Sequence, residues 1–138
     1  AAPRRPLGMT LGGVITLAGA RVPASAAVGG SLPIELDWHS VAAEKEAYTV
    51  FVHLNPSPDK TAAQYDSPPQ DGFSPTNQWR PGQTVIDRFA IPLAPSLPPG
   101  AYAIHVGLYA GSTRLTLPSG LNYIDLGTIR LGPPLTAP

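Results

Sequence analysis

The spacing of proline and glycine constrains the fold of this chain more than any other sequence feature. The 138 residues include 18 prolines and 14 glycines, which fall between short apolar runs along the whole sequence. Proline inside a helix costs about 3 kcal/mol, and it also interrupts the hydrogen-bond ladder of a sheet. No stretch shows sustained helical periodicity. The sequence therefore predicts an all-β domain of short strands joined by turns.

The apolar runs have the alternation of β-strands. In the clearest run, Ile34, Leu36 and Trp38 share one face while Glu35 and Asp37 occupy the other, which is the period of a half-buried strand. Strands are predicted at residues 14–22, 32–38, 48–54, 61–65, 84–93, 102–109, 114–117 and 123–131. Seven or eight strands separated by turn signals predict a two-sheet antiparallel β-sandwich of the immunoglobulin or fibronectin III kind. A closed barrel is the alternative.

Length and composition fit one globular domain with short flanking segments. Apolar residues make up 43% of the chain and charged residues 13%, which suits a packed core better than a solvated disordered chain. We predict a linker at residues 1–11, the sandwich domain at 12–132 and a tail at 133–138. The first residue is Ala1 and not Met, and we interpret the chain as a piece of a longer protein.

Charge and residue content argue against several partners and cofactors. Nine basic and nine acidic residues give a formal net charge of zero, so the basic patch expected of a nucleic-acid-binding domain is missing. The apolar runs are strand-sized, which predicts no direct membrane insertion by this segment. There is no cysteine, and His39, His53 and His105 have no metal-ligand spacing. We predict no metal and no cofactor, although two histidines could meet across a sheet.

No catalytic motif is evident, so we predict that this domain is not an enzyme. The chain has no G-x-S-x-G and no phosphate-binding glycine loop ahead of a helix. The most plausible enzymatic feature is a pair of carboxylates, Asp66 and Asp87. Two carboxyl groups roughly 5–9.5 Å apart across an open cleft could hydrolyse a glycosidic bond. The alternative interpretation is that both accept backbone N–H groups and hold a loop.

The polar, proline-rich segment from Asp66 to Gln83 is the main candidate for a binding site. It is longer than most connections in compact domains, and it carries Phe73, Trp79 and Arg80 among amides and carboxylates. Aromatic faces stack on sugar rings, while polar side chains exchange hydrogen bonds with sugar hydroxyl groups. The competing interpretation is that Trp79 folds inward and plugs one end of the sandwich, which requires it to be buried.

Several segments in a fixed order resemble a known family. They are Tyr48-x-Val50-Phe51-Val52-His53-Leu54, Gln64-x-Asp66-x-Pro68-Pro69, Pro75-Thr76-x-x-Trp79-x-Pro81-Gly82, Val85-x-Asp87, Leu97-Pro98-Pro99-Gly100-x-Tyr102, Val106-Gly107-Leu108-Tyr109 and Arg114-Leu115. This set, over residues 14–131, resembles the C-terminal β-sandwich domain of bacterial multi-span membrane glycosyltransferases of the dolichyl-phosphate-mannose-dependent mannosyltransferase type. The turn at residues 55–60 departs from the commoner short Asp-Gly type.

The resemblance implies an accessory function for this chain. In that family the transfer chemistry resides in the membrane-embedded part, so this chain is expected to be a non-catalytic extracytoplasmic accessory domain tethered through a parent membrane protein. Its expected partners are a glycan or acceptor, or the rest of the parent protein. The candidate ligand-binding residues are His53, Gln64, Asp66, Phe73, Trp79, Arg80 and Asp87. A structural spacer or protein–protein interaction module without a small-molecule ligand is the alternative.

The same motif residues also admit an account without a ligand. His53, Gln64, Asp66, Thr76 and Trp79 could form one polar network that pins the long loop across the sheet. Buried polar groups are tolerated in such a network only when they satisfy one another.

Overall fold

Ten strands and no α-helix make up the part of the chain that the structure, a computed structural model, describes, which is residues 2–135. The strands are β1 (Arg5–Leu11), β2 (Ile15–Arg21), β3 (Ser25–Ala27), β4 (Ser31–Ser40), β5 (Thr49–Asn55), β6 (Ala63–Ser67), β7 (Thr84–Pro92), β8 (Gly100–Ala110), β9 (Thr113–Arg114) and β10 (Ile124–Gly132). Two short 3-10 turns, Pro69–Gly72 and Thr76–Gln78, lie between β6 and β7. Over these residues, the structure contains no helix of the length and apolarity needed to cross a membrane.

The strands form two sheets that pack face to face. A four-stranded sheet has the order β1-β2-β4-β7, and a six-stranded sheet has the order β3-β10-β8-β5-β6 with β9 paired to β8. All neighbouring pairs are antiparallel except β3 and β10. The prediction of a two-sheet β-sandwich of the immunoglobulin or fibronectin III kind is confirmed. Seven of the predicted strands are present, and β1 and β3 are additional. Of the predicted strand at residues 114–117, only Arg114 lies in a strand, the two-residue β9.

The predicted linker at residues 1–11 is wrong for residues 5–11, which form β1 and pair with β2. Leu11 is fully buried, and the guanidinium of Arg5 donates a 2.7 Å hydrogen bond to the carbonyl oxygen of Leu126. Pro6 made this strand hard to predict from the sequence, because proline argues against a central strand. It is tolerated here because β1 is an edge strand. Residue 1 lies outside the described residues. In the predicted tail, residues 133–135 form no regular element and residues 136–138 lie outside the described residues.

The core lies between the sheets and is built by the predicted alternation. Ile34, Leu36 and Trp38 of β4 point inward toward Val50 and Val52 of β5, and all five are at most 3% exposed. Because side chains on a strand alternate between faces, the neighbours of these residues point outward and define the two outer surfaces. The outward residues of the six-stranded sheet form what we call the outer face.

A tyrosine fixes the corner at which the chain enters β8. The hydroxyl of Tyr102, which is 2% exposed, donates to the carbonyl oxygen of Pro98 at 2.6 Å. This tyrosine corner is a hallmark of immunoglobulin-like sandwiches. It occupies the Leu97-Pro98-Pro99-Gly100-x-Tyr102 segment and sets where β8 begins.

Candidate functional site

The seven residues predicted to bind ligand lie in two separate places. Asp87 is on β7, and Phe73, Trp79 and Arg80 are in the segment that precedes that strand. The remaining three, His53, Gln64 and Asp66, lie on the outer face, on β5 and β6. We describe the loop first and the outer face second.

Trp79 is buried and does not offer a ring face to a ligand. It is 4% exposed, belongs to the hydrophobic core, and donates from its indole nitrogen to the carbonyl oxygen of Ser74 at 2.9 Å. Thr76, 1% exposed, donates to the carbonyl oxygen of Glu46 and accepts the backbone N–H of Tyr48, both at 2.7 Å. The loop is therefore anchored to the sandwich by its own buried side chains.

Asp87 is buried as well, which does not fit the open pair of carboxylates expected of a glycoside hydrolase. It points inward from β7, is 3% exposed, and accepts the backbone N–H of Gln70 at 2.8 Å. Burial raises the pKa of Asp87; the Gln70 hydrogen bond opposes that effect and the nearby Asp71 adds to it. Asp66 instead lies exposed on the outer face. The two carboxylates do not face each other across an open cleft.

A left-handed turn holds this loop against the edge of the sandwich. Gln70 and Asp71 adopt φ angles of 53° and 54°, a region that residues other than glycine seldom occupy. The side-chain amide of Gln70 donates to the carbonyl oxygen of Ile86 at 2.8 Å. Beside the turn, Tyr65 of one sheet stacks on Phe89 of the other with ring centroids 4.3 Å apart. The loop thus closes the side of the sandwich between β6 and β7.

The two remaining loop candidates are exposed and isolated. Phe73 is 91% exposed at the end of the left-handed turn. Arg80 is also exposed, and its backbone N–H donates to the side chain of Gln83 at 2.9 Å. The loop therefore brings no aromatic face and polar group together on a concave surface.

On the outer face, Asp66 binds Tyr109 and not the loop. Its carboxylate accepts the hydroxyl of Tyr109 at 2.8 Å and the amide of Gln64 at 3.2 Å. The single polar network suggested by the sequence is therefore wrong. Trp79 bonds to Ser74, Thr76 bonds to Glu46 and Tyr48, and Asp66 belongs to a third, separate set.

Phe51 forms the centre of the outer face, although it points away from the core. It is 1% exposed because its ring lies over Gly107, its register partner on β8, and the guanidinium of Arg114 covers the ring at 4.1 Å. A side chain at Gly107 would collide with this ring. A cation over an aromatic face is an attractive pairing.

Next to Phe51, four polar residues form a row across four strands. Gln64, His53, His105 and Asp125 are successive register partners on β6, β5, β8 and β10. Burial lowers the pKa of His53, the positive charge of Arg114 and the neighbouring His105 lower it further, and Asp66 opposes them. His53 is consequently neutral at neutral pH. Within residues 2–135 no cluster of three or more His, Cys, Asp or Glu residues could hold a metal ion.

The row ends in a cleft of about 440 Å³ between the turn after β5 and strand β10. Its walls and base are Asn55, Pro56, Ser57, Pro58, Ala101, Ala103, His105, Tyr123, Asp125 and Thr128. His105 and Tyr123 stack with centroids 4.0 Å apart and an interplanar angle of 15°. The small side chains of Ala101 and Ala103 leave the centre of the cleft open.

Asn55 lines this cleft, and its side-chain amide oxygen is buried. Its amide nitrogen lies 3.1 Å from Nδ1 of His105, within hydrogen-bond distance. The residue is 8% exposed, and in the described part of the chain its Oδ1 has no hydrogen-bond partner. Leaving a buried acceptor unpaired costs about 1–3 kcal/mol.

Sequence reasoning missed Asn55, Tyr109, Arg114 and Tyr123 and did not recognise His105 as part of a site. The signal for two of them was present in β8, because Ile104, Val106 and Leu108 alternate with His105, Gly107 and Tyr109. Once the apolar set is assigned to the core, the other set must share the outer face.

The fold defines this chain as an immunoglobulin-like β-sandwich domain with a polar and aromatic cleft on the outer face of its larger sheet. Comparison of its sequence with models of known protein families and with curated proteins gave no match.

Proposed function

We propose that this chain is a non-catalytic binding domain that holds a carbohydrate in the cleft beside β10. The observation that carries the proposal is the stacked pair of His105 and Tyr123 in a cleft that the polar residues Asn55, Asp125 and Thr128 also line. The cleft offers one aromatic platform and several directional polar groups, which is the combination that sugar recognition needs.

The charge of the cleft favours an uncharged ligand rich in hydroxyl groups. Asp125 is the one carboxylate among the lining residues, and no lysine or arginine lines the cleft. Asp125 uses one oxygen to accept the backbone N–H of Gly127 at 2.8 Å, which leaves its second oxygen for a hydroxyl donor. Thr128 can both donate and accept. An anionic ligand would meet the Asp125 carboxylate without a compensating cation.

The family resemblance supplies the biological setting of the proposal. It supports an extracytoplasmic accessory domain of a membrane glycosyltransferase-like protein, in which the cleft contacts a glycan or acceptor. The rest of the parent protein is a second partner of the domain in this setting.

The test is a glycan-array screen followed by titration calorimetry of any glycan that binds. Tyr123→Ala should weaken binding about tenfold, because the stacking platform is lost. Phe73→Ala, which removes an exposed aromatic residue from the loop, is the matched control and should bind like the wild type. Absence of binding to every glycan class contradicts the proposal, and so does an equal loss for the two variants.

A structural spacer or protein–protein module is the second candidate, and the loop favours it. Trp79 and Asp87 are buried, as this alternative requires, and the loop is anchored on both sides. In this case the wild type binds no glycan, while removal of Trp79 still destabilises the fold.

A further inference from the structure

A second and larger cavity opens at the side of the sandwich where β2 leaves its sheet. Strand β2 ends at Arg21, paired with Glu35, so residues 31–34 of β4 have partners only on β7. Across the gap, β3 covers only residues 130–132 of β10. The chain thus passes from the four-stranded sheet at β2 to the six-stranded sheet at β3 and leaves an opening between the sheets. This opening has a volume of about 810 Å³, and we call it the side cavity. This volume is within the usual range of small-molecule pockets.

The back of the side cavity is apolar. Its inner lining comes from both sheets and includes Ala20, Val22, Ile34, Phe89, Ile104 and Leu126. Four of these residues are at most 6% exposed, so a ligand that reaches them leaves water. Burial of an alkyl chain against such a lining stabilises the complex by about 0.8 kcal/mol per methylene group.

The rim of the side cavity is cationic. Three arginines, Arg5, Arg21 and Arg88, line it together with one carboxylate, Glu35. Glu35 accepts the Nε–H groups of Arg88 at 2.8 Å and of Arg21 at 3.0 Å. The Arg88 hydrogen bond lowers the pKa of Glu35; burial opposes this effect, and the Arg21 hydrogen bond adds to it, so that Glu35 is ionised at neutral pH. Three guanidinium groups against one carboxylate leave an excess of two positive charges.

These arginines are held in place while nitrogen atoms remain free for a ligand. Glu35 binds Arg21 and Arg88 through Nε, and the Leu126 carbonyl oxygen binds Arg5 through one Nη atom. The Nη atoms of Arg88 therefore remain available, and its side chain is 71% exposed. A planar guanidinium matches the two oxygens of a carboxylate.

The geometry points to a binding site in the side cavity for a single-chain amphiphile with a carboxylate headgroup, such as a fatty acid. The alkyl chain lies against Ile34, Ile104 and Leu126, and the carboxylate binds Arg88 and Arg5 at the rim. This site goes beyond the proposed carbohydrate function and does not depend on it. Of the residues that line the cleft, Thr128 also lines the side cavity.

Calorimetry with dodecanoate, below its micelle concentration, tests the site in the full chain. We expect saturable binding at one site, with decanoate roughly tenfold weaker because it buries two fewer methylene groups. Dodecyltrimethylammonium, which has the same tail and the opposite charge, should bind at least about tenfold more weakly than dodecanoate. Absence of saturable binding, or equal affinity for the two headgroups, overturns the inference.

Two variants separate the rim from general surface charge. Arg88→Gln should weaken dodecanoate binding about tenfold. Arg130→Gln removes an exposed arginine of β10 that does not line the cavity, and it should leave binding unchanged. Equal losses in both variants contradict the site.

Nuclear magnetic resonance locates the tail without relying on any variant. Contacts between dodecanoate and the methyl groups of Ile34 and Ile104 are expected. Contacts at Tyr123 and His105 in their place would assign the ligand to the cleft and overturn the side-cavity site. Failure of the glycan screen has no bearing on this result, so the two proposals stand or fall separately.

Discussion

At the scale of single residues, Trp79 shows how a residue type associated with sugar binding can serve the core. Its ring is buried, and its one polar atom is satisfied by Ser74 within the same loop. We expect Trp79→Ala to lower the free energy of unfolding by about 3–5 kcal/mol, the usual cost of truncating a large core side chain. Urea denaturation measures this, with Phe73→Ala as a control that should stay within about 0.5 kcal/mol. A loss below about 1 kcal/mol for Trp79→Ala would show that the loop is not anchored by its ring.

Asp87 makes stability depend on pH. Because burial raises its folded-state pKa above the unfolded value, its favourable contribution is present below the unfolded pKa and is lost as pH rises through the folded pKa. Asp87→Asn keeps an oxygen for the Gln70 N–H and removes the charge. We expect the two proteins to be similarly stable near pH 3, and the variant to be the more stable one at pH 7.

Denaturation at several pH values checks this expectation, and Asp59→Asn on an exposed turn controls for the general change in charge. If the wild type instead gained stability over Asp87→Asn with rising pH, the Gln70 hydrogen bond would outweigh the effect of burial.

At the scale of elements, β1 is part of the folded domain and not a linker that precedes it. Leu11 at the end of this strand is fully buried, whereas Met9 is 39% exposed. Leu11→Ala should therefore cost about 2–5 kcal/mol of unfolding free energy and Met9→Ala less than about 1 kcal/mol. Thermal or chemical denaturation of the two variants measures the difference. Similar, small losses would mean that residues 5–11 contribute as little as the linker predicted from the sequence.

How far the sequence predicts each element depends on where its partners are. Strand β4 was predictable because its own alternation separates Ile34 and Leu36 from Glu35 and Asp37. Strand β1 was not predictable, because contacts with distant parts of the chain hold it in the fold. Leu11 belongs to the core between the two sheets, and Arg5 bonds to the carbonyl oxygen of Leu126. The cleft was missed for the same reason. Asn55 and His105 are 50 residues apart and meet only once β5 and β8 pair.

At the scale of the whole molecule, the loop and the two sheets should unfold together. The tryptophans report on different parts, since Trp38 lies in the four-stranded sheet and Trp79 in the loop, and both are buried. In Trp38→Phe, the fluorescence of Trp79 should follow the same denaturation curve as circular dichroism of the sheets, as two-state unfolding requires. A fluorescence transition at lower denaturant would show that the loop opens independently.

The glycine beneath Phe51 has a consequence for slippage between strands. If β5 moved two residues along β8, Phe51 would face His105 or Tyr109, whose side chains occupy the space that Gly107 leaves empty. A shift by one residue would turn the core residues of β5 outward. The Phe51 ring therefore fits in one alignment of β5 and β8 only, the one that places it over Gly107. The same alignment brings Asn55 beside His105. Gly107 does not line the cleft, yet it determines the strand register in which the cleft forms.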